Sequence, residues 1–436
     1  MLKHPSRLQT ILLMLPAWAF VHAVLVFRIL PKSIGLSEGY WPNWPIVPWF
    51  HLTVSASLAF LASFLALRRA RTLGWKRPLV TALLIHLPFV GAGLALWLAA
   101  TGEEAEQRAA DPTAIAGRLF MPLVLASTFA VLLTAGAGEA ADRLFGLRQA
   151  GGYFGWAVFI ALPFAIGVSG GVAVRRAGGG PGQAAGAASI LIGAVLLLLC
   201  GAAMEGIVCV VMAAPIGGLL ALLGAAVGFT FTRGPAHDGR LQSAAWLAVV
   251  AMVAVEGWHP PAPLEASTTT EIIIEAPVER VWAELHDIRD LPPPDDFLFR
   301  FGVAHPVGTV TSGRGVGAER LCKLSTGDMP EIITVWKPAE ELRFQVLATP
   351  PSMRELGFFG RTIDAEHLYS AYASLEGGFR LEALPGGRTR LTGDSRYLLN
   401  LAPAPYWNLW TEDIVHRVHR RVLEHVKSRA ESRPRA

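Results

Sequence analysis

Charge is scarce in this chain. Asp, Glu, Lys and Arg make up 17% of its 436 residues, where an ordinary soluble domain has about 25%. The shortage excludes a fully water-exposed protein and is uneven. The apolar excess lies before about residue 260, and the remainder has a soluble composition. Cysteine is scarce too. Cys200 and Cys209 lie in an apolar run and only Cys322 lies in the later part, which excludes an internal disulfide there. The net charge of +4 reads as basic loops beside a membrane, so no nucleic-acid role follows from it.

What is abundant is apolar sequence of membrane length. A crossing needs about 20 mostly apolar residues. Stretches near 8–30, 50–67, 79–100, 117–137, 153–174 and 242–258 qualify. The first runs too long for a typical signal peptide and is read as a span. The stretch 187–231 is too long for one crossing and is expected to fold as a hairpin, with its turn near Ala214-Pro215-Ile216-Gly217-Gly218. The expectation is a polytopic domain over 1–260 with about eight helices, a linker at 261–267, a second domain over 268–430 and a tail at 431–436.

Orientation follows the basic loops. Lys3 and Arg7, then Arg68, Arg69, Arg71, Lys76 and Arg77, mark one side as cytoplasmic. Tyr40-Trp41-Pro42-Asn43-Trp44 and the acidic Glu103, Glu104 and Glu106 mark the other. Eight spans place the C-terminal domain in the cytoplasm of a bacterial cell, under its inner membrane. A single crossing by 187–231 would reverse that, and Arg175-Arg176 and Arg233 depart from the rule. Four ionisable residues lie within spans, where each costs several kcal/mol unless paired or wetted: His22, His86, Glu205 and Glu256. The histidines are read as bonding across helices and Glu256 as an interface residue. Glu205, deep in the longest apolar run, is the functional candidate. No pair spacing supports haem. Gly167-x-x-x-Gly171 and Gly224-x-x-x-Gly228 are small-residue patterns that let helices of the chain approach closely.

After the stiff Pro260-Pro261-Ala262-Pro263 the pattern changes. Residues 268–275 read as a strand, and Pro277 opens a helix whose Val278, Val281, Trp282 and Leu285 form one stripe. About six alternating strands follow, with hairpin connections at 337–341 and 384–388. The chain closes with a helix over about 405–430, whose dry stripe is Trp407, Trp410, Ile414, Val418, Val422 and Val426 and whose wet side carries Arg417, Arg420, Arg421, Lys427 and Arg429. A curved antiparallel sheet covered by one amphipathic helix leaves a cavity suited to an apolar ligand.

Residues 272–282, Ile-Ile-Ile-Glu-Ala-Pro-Val-Glu-Arg-Val-Trp, resemble the opening I-x-I-x-A-P-x-E-x-V-W of the START-like superfamily, also called SRPBCC or polyketide cyclase/dehydrase and lipid transport. The resemblance covers about 265–430 and implies an α+β helix-grip fold with a deep ligand cavity. The segments 292–300, 324–327 and 406–410 resemble a bacterial subgroup with spans before the domain. The superfamily includes carriers, hormone binders, cyclases and oxygenase subunits, so the fold does not choose the function. A Rieske cysteine–histidine pattern is missing, which removes the oxygenase reading.

The polar candidates are His305, Glu319, Glu331, Arg354, Glu355, His367, Tyr369, Tyr372 and Arg396. The long connection 350–372 reads as a lid, with Met353, Phe358 and Phe359 closing over an apolar ligand and Arg354 or His367 meeting its polar end. Tyr369, Trp407 and Trp410 complete the expected ligand-binding set. His416, His419 and Asp413 rotate too far around the last helix to converge on a metal. The leading expectation is a non-catalytic module that binds a lipid, quinone or polyketide-like hydrophobe beside the bilayer, with no cofactor and no metal. A cyclase or dehydratase acting on a membrane-derived substrate, and a regulatory membrane protein with a sensor cup, are the alternatives. Convergent ionisable groups in the cavity would favour the enzyme, and a uniformly apolar wall the carrier. The protein partner is left open.

Overall fold

The computed structural model describes residues 155–201, 204–232, 240–356, 362–363 and 368–432, with short helical pieces at 59, 62–68, 70–71, 78–86, 94, 118–119 and 122–128. The expected span at 8–30, most of those near 50–67, 79–100 and 117–137, and His22, Phe358, Phe359 and His367 lie outside the described residues. The chain divides into two compact units near Pro260.

In the first unit, helix α1 covers Pro78–Leu84. A π-helical turn, Ala157–Ala161, runs into α2, Leu162–Arg176. Then come α3, Pro181–Gly201, α4, Ile207–Phe231, and α5, Arg240–Trp258. Among the described residues, four helices are long and apolar enough to cross a membrane: 157–176, 181–201, 207–231 and 240–258.

The apolar stretch after Arg176 is two helices, but its turn is not at 214–218. Pro215 and its glycines lie inside α4, and the break falls between Gly201 and Ile207, at Met204-Glu205-Gly206. Proline inside a membrane-length helix is tolerated because neighbouring groups re-satisfy the freed carbonyl. Met204-Glu205-Gly206 brings a carboxylate and an extended glycine, and Gly206 caps α4 with φ −84° and ψ 168°.

The two glycine patterns face each other. A methyl group on Gly167 would overlap the Ala221 carbonyl, and one on Gly171 the Ala225 carbonyl. Gly224 and Gly228 stand in the same way against the carbonyls of Phe164 and Val168. The paired positions rise together, so α2 and α4 are parallel and their backbones touch. Small residues at the contact are what permits this approach.

The second unit begins with β1, Leu264–Ile274, inside the stretch expected as linker. Its early start follows from pairing: Leu264 lies opposite Leu399, the last residue of a long partner strand. Helices α6, Val278–Leu285, and α7, Phe297–Arg300, come next. The remaining strands are β2, Pro306–Ser312, β3, Glu319–Leu324, β4, Gly327–Lys337, and β5, Glu341–Val346. After these come β6, Glu355–Leu356, β7, Thr362–Ile363, β8, Tyr372–Leu384, and β9, Arg388–Leu399. Helix α8, Ala404–Ser432, ends the fold. Seven strands form one antiparallel sheet in the order β1-β9-β8-β5-β4-β3-β2, and β6 pairs with β7 separately.

The two outermost strands both bond to α8. Lys427 donates to the Ile273 carbonyl of β1 at 2.9 Å, and Arg421 to the Pro306 carbonyl of β2 at 3.0 Å. In a flat sheet, six spacings of about 4.8 Å would hold those edges about 29 Å apart. One helix about 10 Å wide reaches both, so the sheet is bent around it. The outward amides of β2 are used within the chain: Thr309 donates to the Ile288 carbonyl at 2.7 Å and Thr311 to Asp287 at 2.8 Å.

The buried side of α8 differs from the expected stripe. Trp407, Val415, His419, Val422, Leu423, Val426 and Ala430 are buried, while Trp410, Ile414 and Val418 are half-buried. The basic side is not simply wet. Arg417 pairs with Asp296 at 2.6 Å and Arg429 with Glu284 at 3.3 Å, so α8 is clamped by its charges as well as its core. The last turns, from Val422 to Ala430, pack with Ile274, Val281, Leu285 and Leu391 in one apolar cluster.

Candidate functional site

Alternation puts one side chain in two on the inner face of the bent sheet. On β3 the buried residues are Arg320 and Cys322, and on β4 they are Glu331 and Ile333. Arg320 lies opposite Glu331, and Ile333 opposite Phe344 of β5. A charged pair therefore sits in the row that makes the core.

Arg320 is 4% exposed and Glu331 1%. The Arg320 Nη1 donates to Glu331 Oε2, and the guanidinium carbon stands 4.3 Å from the centre of the Phe344 ring. Gly377, opposite Phe344 on β8, leaves the space that ring fills. Two polar atoms of the pair, Glu331 Oε1 and Arg320 Nε, are buried without a hydrogen-bond partner. Burial pushes the Glu331 carboxyl up from its ordinary value, against the pull of Arg320. Cys322 beside them is pushed up to about 12, chiefly by burial and then by the Glu331 charge, which leaves an unreactive thiol.

A second polar group lies where α8 crosses β1 and β9. The Tyr397 hydroxyl donates to Asn408 Oδ1 at 3.0 Å and lies 3.3 Å from Thr268. Thr270 Oγ1 stands 2.7 Å from His416 Nδ1 and 3.1 Å from His419 Nδ1, and His419 Nε2 is 2.8 Å from Ser395 Oγ. Burial, and next the His416 charge, hold His419 down to about 4.

No family model and no curated protein matches this chain. Solved structures similar to part of this chain include the Zhui aromatase/cyclase from Streptomyces sp. R1128, at 18% identity over 40% of this chain and 98% of that one, with a TM-score of 0.29. A protein from Nitrosospira multiformis is 15% identical over 38% and 97%, with a TM-score of 0.25. The protein XoxI from Bacillus cereus is 13% identical over 38% and 96%, with a TM-score of 0.26. The seven-stranded antiparallel sheet with its long closing helix is consistent with an α+β helix-grip fold.

The sequence candidates are scattered over this frame. Met353 forms a bridge with Val303, and Arg354 donates its amide to the Gly302 carbonyl at 2.9 Å while its side chain is exposed. Tyr369 and Glu319 are exposed. Arg396 pairs with Glu265 and Glu376 in a partly exposed cluster. His305 is buried, bonded through Nδ1 to the Val303 carbonyl at 3.1 Å, and burial lowers its pKa. Glu355 is buried, and Tyr372 packs its ring on Tyr397 with burial raising its pKa. Trp407 is buried and Trp410 half-buried. Asp413 turns to Arg417 at 2.7 Å rather than to the histidines.

In the first unit, His86 Nε2 lies 2.6 Å from Ser63 Oγ, and Glu205 is buried at the α3–α4 break. Glu256 accepts from the backbone N–H groups of Trp156 and Ala157, capping the helix that contains α2 with a side chain from α5. Sequence reasoning named Glu331 but missed Arg320. Its signal was phase: Arg320 is in step with Cys322 and Leu324, on the dry side of its strand.

Proposed function

We propose that this is a membrane-anchored binding protein whose C-terminal cup takes a hydrophobic ligand, a lipid, quinone or polyketide-like molecule, that carries one hydroxyl or carbonyl group. The observation that supports it is the Arg320–Glu331 pair. Burying two charges costs several kcal/mol, and a well-packed apolar pair is often as stable or more so. Each partnerless buried atom adds about 1–3 kcal/mol. Glu331 Oε1 and Arg320 Nε are such atoms, next to the apolar Ile333 and Phe344. A ligand hydroxyl could donate to the first, and a carbonyl could accept from the second. The four apolar helices support anchoring in a membrane. The reading extends to the inner membrane of a bacterium, with the cup on the cytoplasmic side.

Native mass spectrometry of the full chain, extracted from membranes in mild detergent, tests this. The wild type should carry an oxygenated hydrophobe, and R320M/E331M should stay folded and lose it. A wild type that is reproducibly empty would sink the proposal. A second reading is favoured by the same pair, because two ionisable groups in contact on a buried face can move protons in a cyclisation or dehydration. It predicts a product of altered mass that forms with the wild type and not with R320M/E331M.

A further inference from the structure

The hydroxyl of Thr270 is shared by two histidines of α8. A hydroxyl has one hydrogen, so it can donate to only one Nδ1, and the other imidazole must donate to it. With both rings neutral, or with one charged, the chain His416–Thr270–His419–Ser395 can be fully satisfied. With both charged, two Nδ1–H groups point at one oxygen and two cations stand either side of it. Charged groups around the pair are Glu412 on α8, 3.9 Å from His416 Nε2, and Asp394 on β9, which favours a charge on His419. From β1 the pair meets the neutral Thr270.

The two halves of α8 are held differently. From Val422 onward the helix is fixed in the apolar cluster. Up to His419 the helix is held by Asn408 and the two histidines on the sheet, by Arg417 on Asp296, and by the buried Trp407 and Val415. Such bonds exchange for water at about 0.5–1.5 kcal/mol each. We propose that His416 and His419, sharing Thr270, form an acid-released latch that frees the first turns of α8 from β1 and β9 while the later turns stay docked.

The sign follows from His419. Its pKa is lowered from 6.5 to about 4 by the fold, so the released state binds the proton more tightly. The latch is closed above about pH 6.5 and is lost as the pH falls toward about 4. The latch stands on these contacts alone, without a ligand.

Hydrogen exchange on the full chain in detergent micelles reads the latch separately from any ligand. Between about pH 7 and about pH 4, protection of amides in 408–418, corrected for intrinsic rate, should fall by about tenfold or more, while 422–430 keep theirs. In H416Q/H419Q, which keeps the hydrogen bonds and cannot charge, the fall should vanish. Thr270→Val should expose the same turns at neutral pH. Equal protection of the wild type at both pH values would overturn the proposal. So would an equal fall in H416Q/H419Q, unchanged protection in Thr270→Val, or loss of 422–430 together with 408–418.

Discussion

The two units solve packing in opposite ways. In the bundle, α2 and α4 meet where side chains are missing, at Gly167, Gly171, Gly224 and Gly228. In the cup, the sheet and α8 meet through large side chains: Phe344 and Phe379 from the strands, and Val422 and Leu423 from the helix. Lipid tails are as apolar as leucine, so burying leucine gains little between membrane helices and close backbone contact matters more. The cup has a core of large apolar side chains, and removing such area from water is what drives an assembly of that kind. The first unit should therefore fail when atoms are added, and the second when they are removed or a charge is left alone.

The largest expected effect is in the cup. Arg320→Met strands the Glu331 carboxylate and should cost about 3–5 kcal/mol, while R320M/E331M should recover most of it. Chemical denaturation followed by tryptophan fluorescence checks both, and equal losses in the single and double variants would show that the charge is not what matters. Next is the bundle. Gly167→Ala should cost about 3 kcal/mol, because its methyl group meets backbone that cannot turn aside, while Gly218→Ala, whose added carbon meets nothing within 4 Å, should be neutral. Thermal unfolding in detergent separates the two.

Smallest is Gly377→Ala in the cup. Its methyl group would come 2.6 Å from the Phe344 ring edge, and a ring can shift, so about 1–2 kcal/mol is expected. If Gly377→Ala proved costlier than Gly167→Ala, the contrast between backbone contact and side-chain contact would be wrong.

Much of the cup was legible. Alternation marked the strands, the 278–285 stripe marked α6, and Pro385-Gly386-Gly387 marked a turn with two positive φ angles. Register was harder to read. Ser325-Thr326 is a two-residue connection between Leu324 and Gly327, and it sets each pair of that hairpin, Arg320 with Glu331 included. Alternation alone gives each strand its dry side but not its partner's register, so that pairing stayed hidden. In the bundle, Pro215 and two glycines looked like a turn by the rules of soluble helices. The helix runs through them because membrane-length helices obey other rules. His419 was weighed as a metal ligand, and its sheet partners Thr270 and Ser395 were missed, since spacing along a helix cannot reveal what lies across from it.

The covered edge at β2 has a consequence for crowding. Proteins held in a plane meet one another far more often than the same number free in solution. A strand with idle amides would then be a template for pairing between neighbours. The outward amides of Thr309 and Thr311 are already occupied by the chain's own 287–288 segment, so that side offers a neighbour little to bond. At the other end of the sheet, β1 carries the exposed Glu265 and Glu271, charged side chains that a pairing neighbour would have to accommodate.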